Sequence, residues 1–210
     1  MTFCNITIHN EDCFKNFSIY KDNEFDLTIT DPPYNVNYDE WDSIEDYPAY
    51  CKHWFENTLR ISKVLAFTPG IANIWMYPKA DWVLCWAKPA SARRNITGGF
   101  NHFEPVLVYG LLENKIKIWK DYINLPPSAN RAPSWMTHPC PKPVNLYYWI
   151  IDIMTEEGST IFDPYSGSGT AAIACIKHNN RHFVGYERDI TYYNESVKRV
   201  EEAQQQITLF

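Results

Sequence analysis

The chain has 210 residues, of which 45% are hydrophobic and 16% aromatic, a length and composition that fit one well-buried globular domain. Its six cysteines (Cys4, Cys13, Cys51, Cys85, Cys140, Cys175) are scattered, with no Cys-x-x-Cys pair and no histidine cluster at ligand spacing. That spacing excludes a zinc finger and argues for reduced thiols, so no metal is expected. The net charge of −6 hides a local excess: residues 79–145 carry nine Lys/Arg against four Asp/Glu, or +5, which leaves −11 for the rest.

Nothing at the N-terminus has a basic-then-apolar signal pattern, and no apolar run approaches membrane-spanning length, so a cytoplasmic protein with no membrane partner is expected. In chain order, Ile6-Thr7-Ile8 reads as a short strand ending in acidic loop residues. Phe25 to Thr30 reads as a buried strand by its length and β-branched content. It runs directly into Asp31-Pro32-Pro33-Tyr34, where two prolines stop the ladder and leave a rigid turn at the strand's C-terminal end, the place where open α/β sheets build their sites.

That turn offers one carboxylate, a proline carbonyl and an aromatic face, which together suit a flat ring bearing an amino group. Asp31 and the Pro32 carbonyl would accept the two amino protons while Tyr34 stacks on the ring. An aromatic amine is a poor nucleophile because its lone pair is delocalised into the ring. Holding both protons out of the ring plane favours a tetrahedral nitrogen and frees the pair.

Residues 34–45, polar and aromatic, read as a mobile loop over this pocket. A helix is expected from Ser43, as N-cap, to Ser62, with Asp46 in its first turn. Val64 to Phe67, Trp82 to Trp86 and Val106 to Tyr109 are strand candidates. Two stretches, 88–104 and 112–134, lack periodicity and interleave basic with aromatic residues. They suit phosphate and base contacts, with Arg93, Arg94, Lys115, Lys117, Lys120 and Arg131 as DNA-binding candidates; ordinary surface loops are the alternative.

Val144 to Met154 is amphipathic and follows Lys142-Pro143, so it predicts a helix. Ser159 to Phe162 predicts a strand. Asp163-Pro164-Tyr165-Ser166-Gly167-Ser168-Gly169-Thr170 then leads into a small-residue helix, Ala171 to Lys177. A strand, a glycine-rich turn and a helix form a nucleotide-cradling unit, and Glu187, at the end of the next strand (His182 to Tyr186), stands where a ribose diol is usually held. Ala172 takes the third glycine position of a dinucleotide fingerprint. That variant leaves a nicotinamide or flavin oxidoreductase open on glycine spacing alone, but such an enzyme has no use for the Asp-Pro-Pro-Tyr turn.

Four stretches in one order carry a resemblance: Asp26-Leu27-Thr28-Ile29-Thr30-Asp31-Pro32-Pro33-Tyr34-Asn35, His138-Pro139-Cys140-Pro141-Lys142-Pro143-Val144, Phe162 to Thr170, and Gly185-Tyr186-Glu187-Arg188-Asp189. Together they resemble the motifs of DNA amino-methyltransferases of the β-group arrangement, in which the catalytic half precedes the half that binds S-adenosylmethionine. The resemblance implies an α/β, Rossmann-like methyltransferase fold with circularly permuted motif order. Its sheet would be mostly parallel with one antiparallel strand, expected to be the last, and would have helices on both faces.

Carried over by position, Asp31, Pro32, Pro33 and Tyr34 would be catalytic. Asp12, Asp31, His138, Lys142, Asp163, Tyr165, Gly167, Ser168, Gly169, Thr170 and Glu187 would line the S-adenosylmethionine pocket. Tyr165 stands where a Phe is more usual, and Cys140 where a polar residue is. The implied reaction is direct methyl transfer to a base flipped out of double-stranded DNA. Asp at the first motif position favours adenine N6 over cytosine N4. A reading of another class is a catalytically silent DNA- or cofactor-binding partner subunit.

One methyltransferase domain is expected across residues 1–210, with a charged helix from about Glu195 to Ala203 and a tail at 204–210. The tail's Gln206-Ile207-Thr208-Leu209-Phe210 resembles the short peptide with which replication and repair proteins dock on a sliding clamp, Ile207, Leu209 and Phe210 being the anchors; a tail folded onto its own domain is the alternative. A homodimer is left open.

Overall fold

Near-continuous apolar runs give the central strands of one sheet two buried faces. The computed structural model describes residues 4–37, 40–89, 98–110, 120–126, 133–139, 141–178 and 180–208. In chain order its elements are β1 (Ile6–His9), β2 (Phe25–Thr30), α1 (Tyr47–Ile61), β3 (Ser62–Phe67), β4 (Trp82–Ala87), β5 (Phe103–Tyr109), β6 (Tyr122–Asn124), α2 (Val144–Met154), β7 (Thr160–Asp163), α3 (Thr170–His178), β8 (His182–Tyr186) and α4 (Ile190–Thr208), with short 3₁₀ turns between them. The strands lie in the order β1-β8-β7-β2-β3-β5-β4-β6.

Leu27, Ile29, Val64, Ala66, Val106 and Val108 point to one side, where Leu146, Ile150 and Ile151 of α2, Ile173 and Ile176 of α3 and Val200 of α4 cover them. The intervening residues Leu65, Phe67, Leu107 and Tyr109 point to the other side, against Trp54 and Phe55 of α1. The expected helices on both faces are present, and adjacent residues of β3 and β5 feed opposite cores.

Every pairing is parallel except the two made by β5, which runs against β3 and against β4. The sheet therefore has its one reversed strand, but that strand is not the last. β8 is parallel to both β1 and β7, and the reversal falls where β5 returns alongside β4 from the edge at which β4 ends.

Several boundaries differ from expectation, β5 among them, which starts at Phe103 rather than Val106. α1 starts at Tyr47 with Asp46, not Ser43, as N-cap: the Asp46 carboxylate accepts from Ala49 N at 3.1 Å and Pro48 occupies the first turn. α4 starts five residues early because Asp189 Oδ1 accepts from the amides of Thr191 (2.7 Å) and Tyr192 (3.0 Å), and it runs on through Thr208. The short edge strand β6 lies inside a stretch read as loop.

Because all strands but β5 run one way, the C-terminal ends of β1, β8, β7, β2, β3 and β4 share an edge with the start of β5. No helix among the described residues is long and apolar enough to cross a membrane.

Candidate active site

The Asp31-Pro32-Pro33-Tyr34 turn leaves the end of β2 and is held by side chains from three later segments. Asp42, only 1% exposed, accepts three consecutive main-chain amides: Tyr34 and Asn35 on Oδ1, both at 2.7 Å, and Val36 on Oδ2 at 2.9 Å. Tyr47 donates its hydroxyl to the Pro33 carbonyl at 2.8 Å, and Asn73 donates to the Tyr34 carbonyl at 3.0 Å. Asn35 adopts a left-handed conformation (φ 56°) and its side chain receives Ile44 N at 2.8 Å. The segment read as a mobile loop is thus fastened at 34–36 and at 42–44, through hydrogen bonds that only the fold brings together.

Asp31 lies in a chain of alternating charges. Its Oδ1 accepts the hydroxyls of Tyr34 and Thr68, both at 2.5 Å, and its Oδ2 pairs with Lys142 Nζ at 2.8 Å. Lys142 Nζ also donates to Tyr34 Oη (3.0 Å), lies 3.3 Å from Glu104 Oε1, and sits 5.1 Å from the centre of the Tyr34 ring. Glu104, 7% exposed, has Tyr34 Oη 2.9 Å from its Oε1 and Lys88 Nζ 2.6 Å from its Oε2. Burial alone would raise the Glu104 carboxyl, but Lys142 and Lys88 overcome it and hold the group down at about 2. Burial would likewise discharge Lys142, and Asp31 and Glu104 instead keep its ammonium well above the usual lysine value. Tyr34 is pushed up by burial and by the same two carboxylates.

A carboxylate offers about four acceptor positions. Three of those on Asp31 are filled, which leaves one on Oδ2, and the Pro32 carbonyl has no donor among the described residues. Tyr34, expected to offer only a ring face, also has its hydroxyl tied into this network. Lys88 and Glu104 close the segment 88–104 read as a recognition loop, yet both belong to the site: Glu104 is the second residue of β5, and Lys88 N extends the β4–β5 ladder to His102 O at 2.7 Å.

The glycine-rich turn is built at the end of β7. Asp163, 2% exposed, accepts from Thr30 Oγ1 (2.6 Å) and Tyr165 N (3.0 Å), and burial pushes its carboxyl up to about 8. Glu187 at the end of β8 receives Gly167 N at 2.9 Å and Asp189 N at 2.8 Å, its carboxyl also raised by burial. Arg199 of α4, absent from the expected set, clasps the turn: Nη1 donates to the Ser168 carbonyl (2.9 Å), Ser168 Oγ (3.3 Å) and Thr170 Oγ1 (3.2 Å). At Gly167 (φ 48°) a Cβ would lie 2.9 Å from His138 Nε2, so a side chain there would strain the backbone and press on His138. His138 is itself fastened to α4, with Glu195 receiving its amide (3.2 Å) and both Thr137 N (2.8 Å) and Thr137 Oγ1 (2.7 Å).

One cavity of about 750 Å³ joins the two motifs. Its walls include Asp12, Asp31, Pro32, Pro33, Tyr34, His138, Lys142, Asp163, Tyr165, Gly167, Ser168, Thr170 and Glu187. Of the expected cofactor residues, Gly169 does not line it. It faces α4, where a Cβ would lie 3.1 Å from Ser196 Cβ, so its missing side chain serves helix packing. Sequence reasoning missed Glu104, Asp42 and Tyr50 as wall residues, while Trp41 comes from the stretch read as a loop over the pocket. Within the cavity wall, His138 Nδ1 and Ser166 Oγ are buried without a hydrogen-bond partner among the described residues, and burial lowers the His138 imidazole from its usual value. Among the described residues no group of three or more His, Cys, Asp or Glu could hold a metal.

The DNA-binding candidates Arg93, Arg94, Lys115, Lys117 and Arg131 lie outside the described residues. Lys120 is described: exposed, with Nζ 5.9 Å from the Tyr122 ring, it precedes the start of β6 on the side away from the catalytic edge, so the fold does not bring it to the cavity. Gln206 is exposed near the end of α4. The side chain of Ile207, and Leu209 and Phe210 altogether, lie outside the description.

Residues 69–198 match the family described as DNA methylase (N6_N4_Mtase), and the chain belongs to that family. The Type II methyltransferase M2.MboI of Moraxella bovis is 24% identical over 94% of this chain and 88% of its own length. The Type II methyltransferase M.HindIII of Haemophilus influenzae is 44% identical over 63 residues, which make up 30% of this chain and only 20% of that protein. Among solved structures, the M1.HpyAVI complex with S-adenosylmethionine superposes with a TM-score of 0.64 at 26% identity, covering 92% of this chain and 99% of that one.

Proposed function

We propose that the chain is a methyltransferase that uses S-adenosylmethionine to methylate the N6 amino group of an adenine flipped out of duplex DNA. The observation that carries this reading is the acceptor pair at the end of β2. One open position on Asp31 Oδ2 and the undonated Pro32 carbonyl stand in the same cavity as the glycine-rich turn.

The residues present fit the cofactor: His138 Nδ1 and Ser166 Oγ are buried polar atoms awaiting partners, and Gly167 keeps the wall clear of a side chain. Asp163 and the Gly167-to-Thr170 turn would hold its methionine end, Glu187 its ribose hydroxyls, and Asp12 the region of its adenine. S-adenosylmethionine supplies an electrophilic methyl carbon on a positively charged sulfur. Asp31 and the Pro32 carbonyl each accept a hydrogen bond from one amino N–H and so turn the nitrogen lone pair out of the ring. Tyr34 lies beside the base with its hydroxyl pinned between Asp31 and Glu104. Asp31 is the carboxylate placed to receive the proton that the amine gives up. Positioning of this kind contributes up to about 7–11 kcal/mol when alignment is ideal.

Adenine is favoured by Asp at the first motif position. The family's own name pairs N6 with N4 chemistry, so product analysis decides. Incubation with labelled cofactor and duplex DNA, followed by nucleoside separation, should yield N6-methyladenine, and N4-methylcytosine as sole product would overturn the assignment. Arg93, Arg94, Lys115, Lys117 and Arg131 remain the proposed phosphate contacts. If the tail docks a clamp, deleting residues 206–210 should abolish clamp pull-down and leave methylation of short duplexes unchanged; loss of folding stability on that deletion would instead make the tail part of the core.

A further inference from the structure

Lys142 stands where a substrate group is expected. Its ammonium donates to Asp31 Oδ2 at 2.8 Å and to Tyr34 Oη at 3.0 Å, and it lies 5.1 Å from the centre of the Tyr34 ring. Asp31 Oδ2 is also the oxygen that the proposed reaction assigns to the target's amino group, so the lysine and the amine draw on the same carboxylate oxygen. Glu104 is a second acceptor for the lysine, already 3.3 Å from Nζ through Oε1, with Oε2 anchored by Lys88 at 2.6 Å. The four charges Lys88, Glu104, Lys142 and Asp31 balance, and all but Asp31 are nearly enclosed by protein.

We propose that Glu104 is a positioning residue for methyl transfer: held in place by Lys88, it shares the Lys142 ammonium with Asp31 and thereby keeps one position on Asp31 Oδ2 open for the target amino group. This rests on the reading of Asp31 as the acceptor of that group. Removing the Glu104 charge leaves Asp31 as the remaining carboxylate of the network. The ammonium then settles on Asp31 and competes with the substrate, an effect exerted on catalysis through Lys142 and not through contact with the base.

The test is a double-mutant cycle on the full chain, with S-adenosylmethionine, a duplex substrate and single-turnover rates. Glu104→Gln is expected to slow transfer by about tenfold or more while cofactor affinity stays within about twofold. Lys142→Met removes the competitor, so adding Glu104→Gln to it should cost little more. Because Glu104→Gln leaves two enclosed lysines against one carboxylate, Lys88→Met/Glu104→Gln, which keeps the charges balanced, guards against a folding failure and should show the same dependence on Lys142. Equal losses from Glu104→Gln with and without Lys142 would overturn the inference, as would a wild-type rate for Lys88→Met/Glu104→Gln. An Asp31→Ala protein that still transfers methyl would overturn the underlying reading instead, and this one with it.

Discussion

Replacing Asp42 by Ala would strip three consecutive main-chain amides of their acceptor. Hydrogen bonds to a charged partner contribute about 1.5–3 kcal/mol each. Val36 is exposed and water can replace its bond, whereas Tyr34 and Asn35 are half-buried. Counting those two gives a loss of about 3–6 kcal/mol, or a fall in Tm of roughly 6–24 °C for a chain of this size. Asp42→Asn keeps one oxygen able to serve the Tyr34 and Asn35 amides and should lose less than half as much. Activity should fall further than stability, because a shift of about 1 Å in the turn can cost on the order of 10²-fold in rate. Cofactor affinity, set by the β7 and β8 ends, should change by less than about threefold. Thermal unfolding by circular dichroism, paired with kcat/KM on one duplex, measures both. A Tm within about 2 °C of wild type together with an unchanged kcat/KM would mean that Asp42 does not organise the turn.

Asp31→Ala should abolish transfer while leaving cofactor affinity within about tenfold in a calorimetric titration; parallel loss of both would show that Asp31 serves the cofactor instead. Arg199→Ala removes a guanidinium that meets three acceptors on the glycine-rich turn and should weaken cofactor binding by about 10- to 100-fold, the equivalent of one charged hydrogen bond. The Asp163 carboxyl, pushed up to about 8 by burial, keeps its proton in the fold across a window in which the unfolded chain has lost it. The native state therefore binds more protons between about pH 4 and 8, and the Asp163 contribution to stability falls as pH rises through that window. Asp163→Asn should flatten the slope of unfolding free energy against pH measured by urea titration without cofactor, and an unchanged slope would refute the assignment.

Most of the fold was legible in the sequence because its signals are local. β2, β3, β5 and β7 are short apolar runs bounded by turn residues, and the β7-turn-α3 unit announces itself through Gly167 and Gly169. What failed was information carried by neighbours in space. β6 has three residues and no apolar pattern, and exists only because β4 presents an open edge to it. The N-caps Asp46 and Asp189 could have been found from sequence, since each stands directly before a helix it caps. Ser43 drew the assignment because it also stands before an apolar periodicity, but its hydroxyl is spent on Asn37 at 3.2 Å. The position of the reversed strand was missed for another reason. Strand direction is fixed by which edge a connection leaves and rejoins, and no residue type in 88–102 encodes that.

The site divides the same way, and the division says where the chemistry is controlled. Residues that would touch the target base or the cofactor sit in contiguous motifs, and the cavity gathers all of those except Gly169. The residues that hold them in place do not: Asp42, Glu104, Glu195 and Arg199 lie 8, 70, 57 and 31 residues from the groups they bond. Glu104 shows why composition misleads here. In sequence it closes a basic, aperiodic stretch and reads as a stray acid in a DNA-binding loop. In the fold the start of β5 arrives at the catalytic edge because that strand alone runs backwards, and it delivers an enclosed carboxylate between two lysines. A parallel β5 would have put the same residue at the opposite edge. The reversal of one strand is therefore what completes the charge network around Asp31.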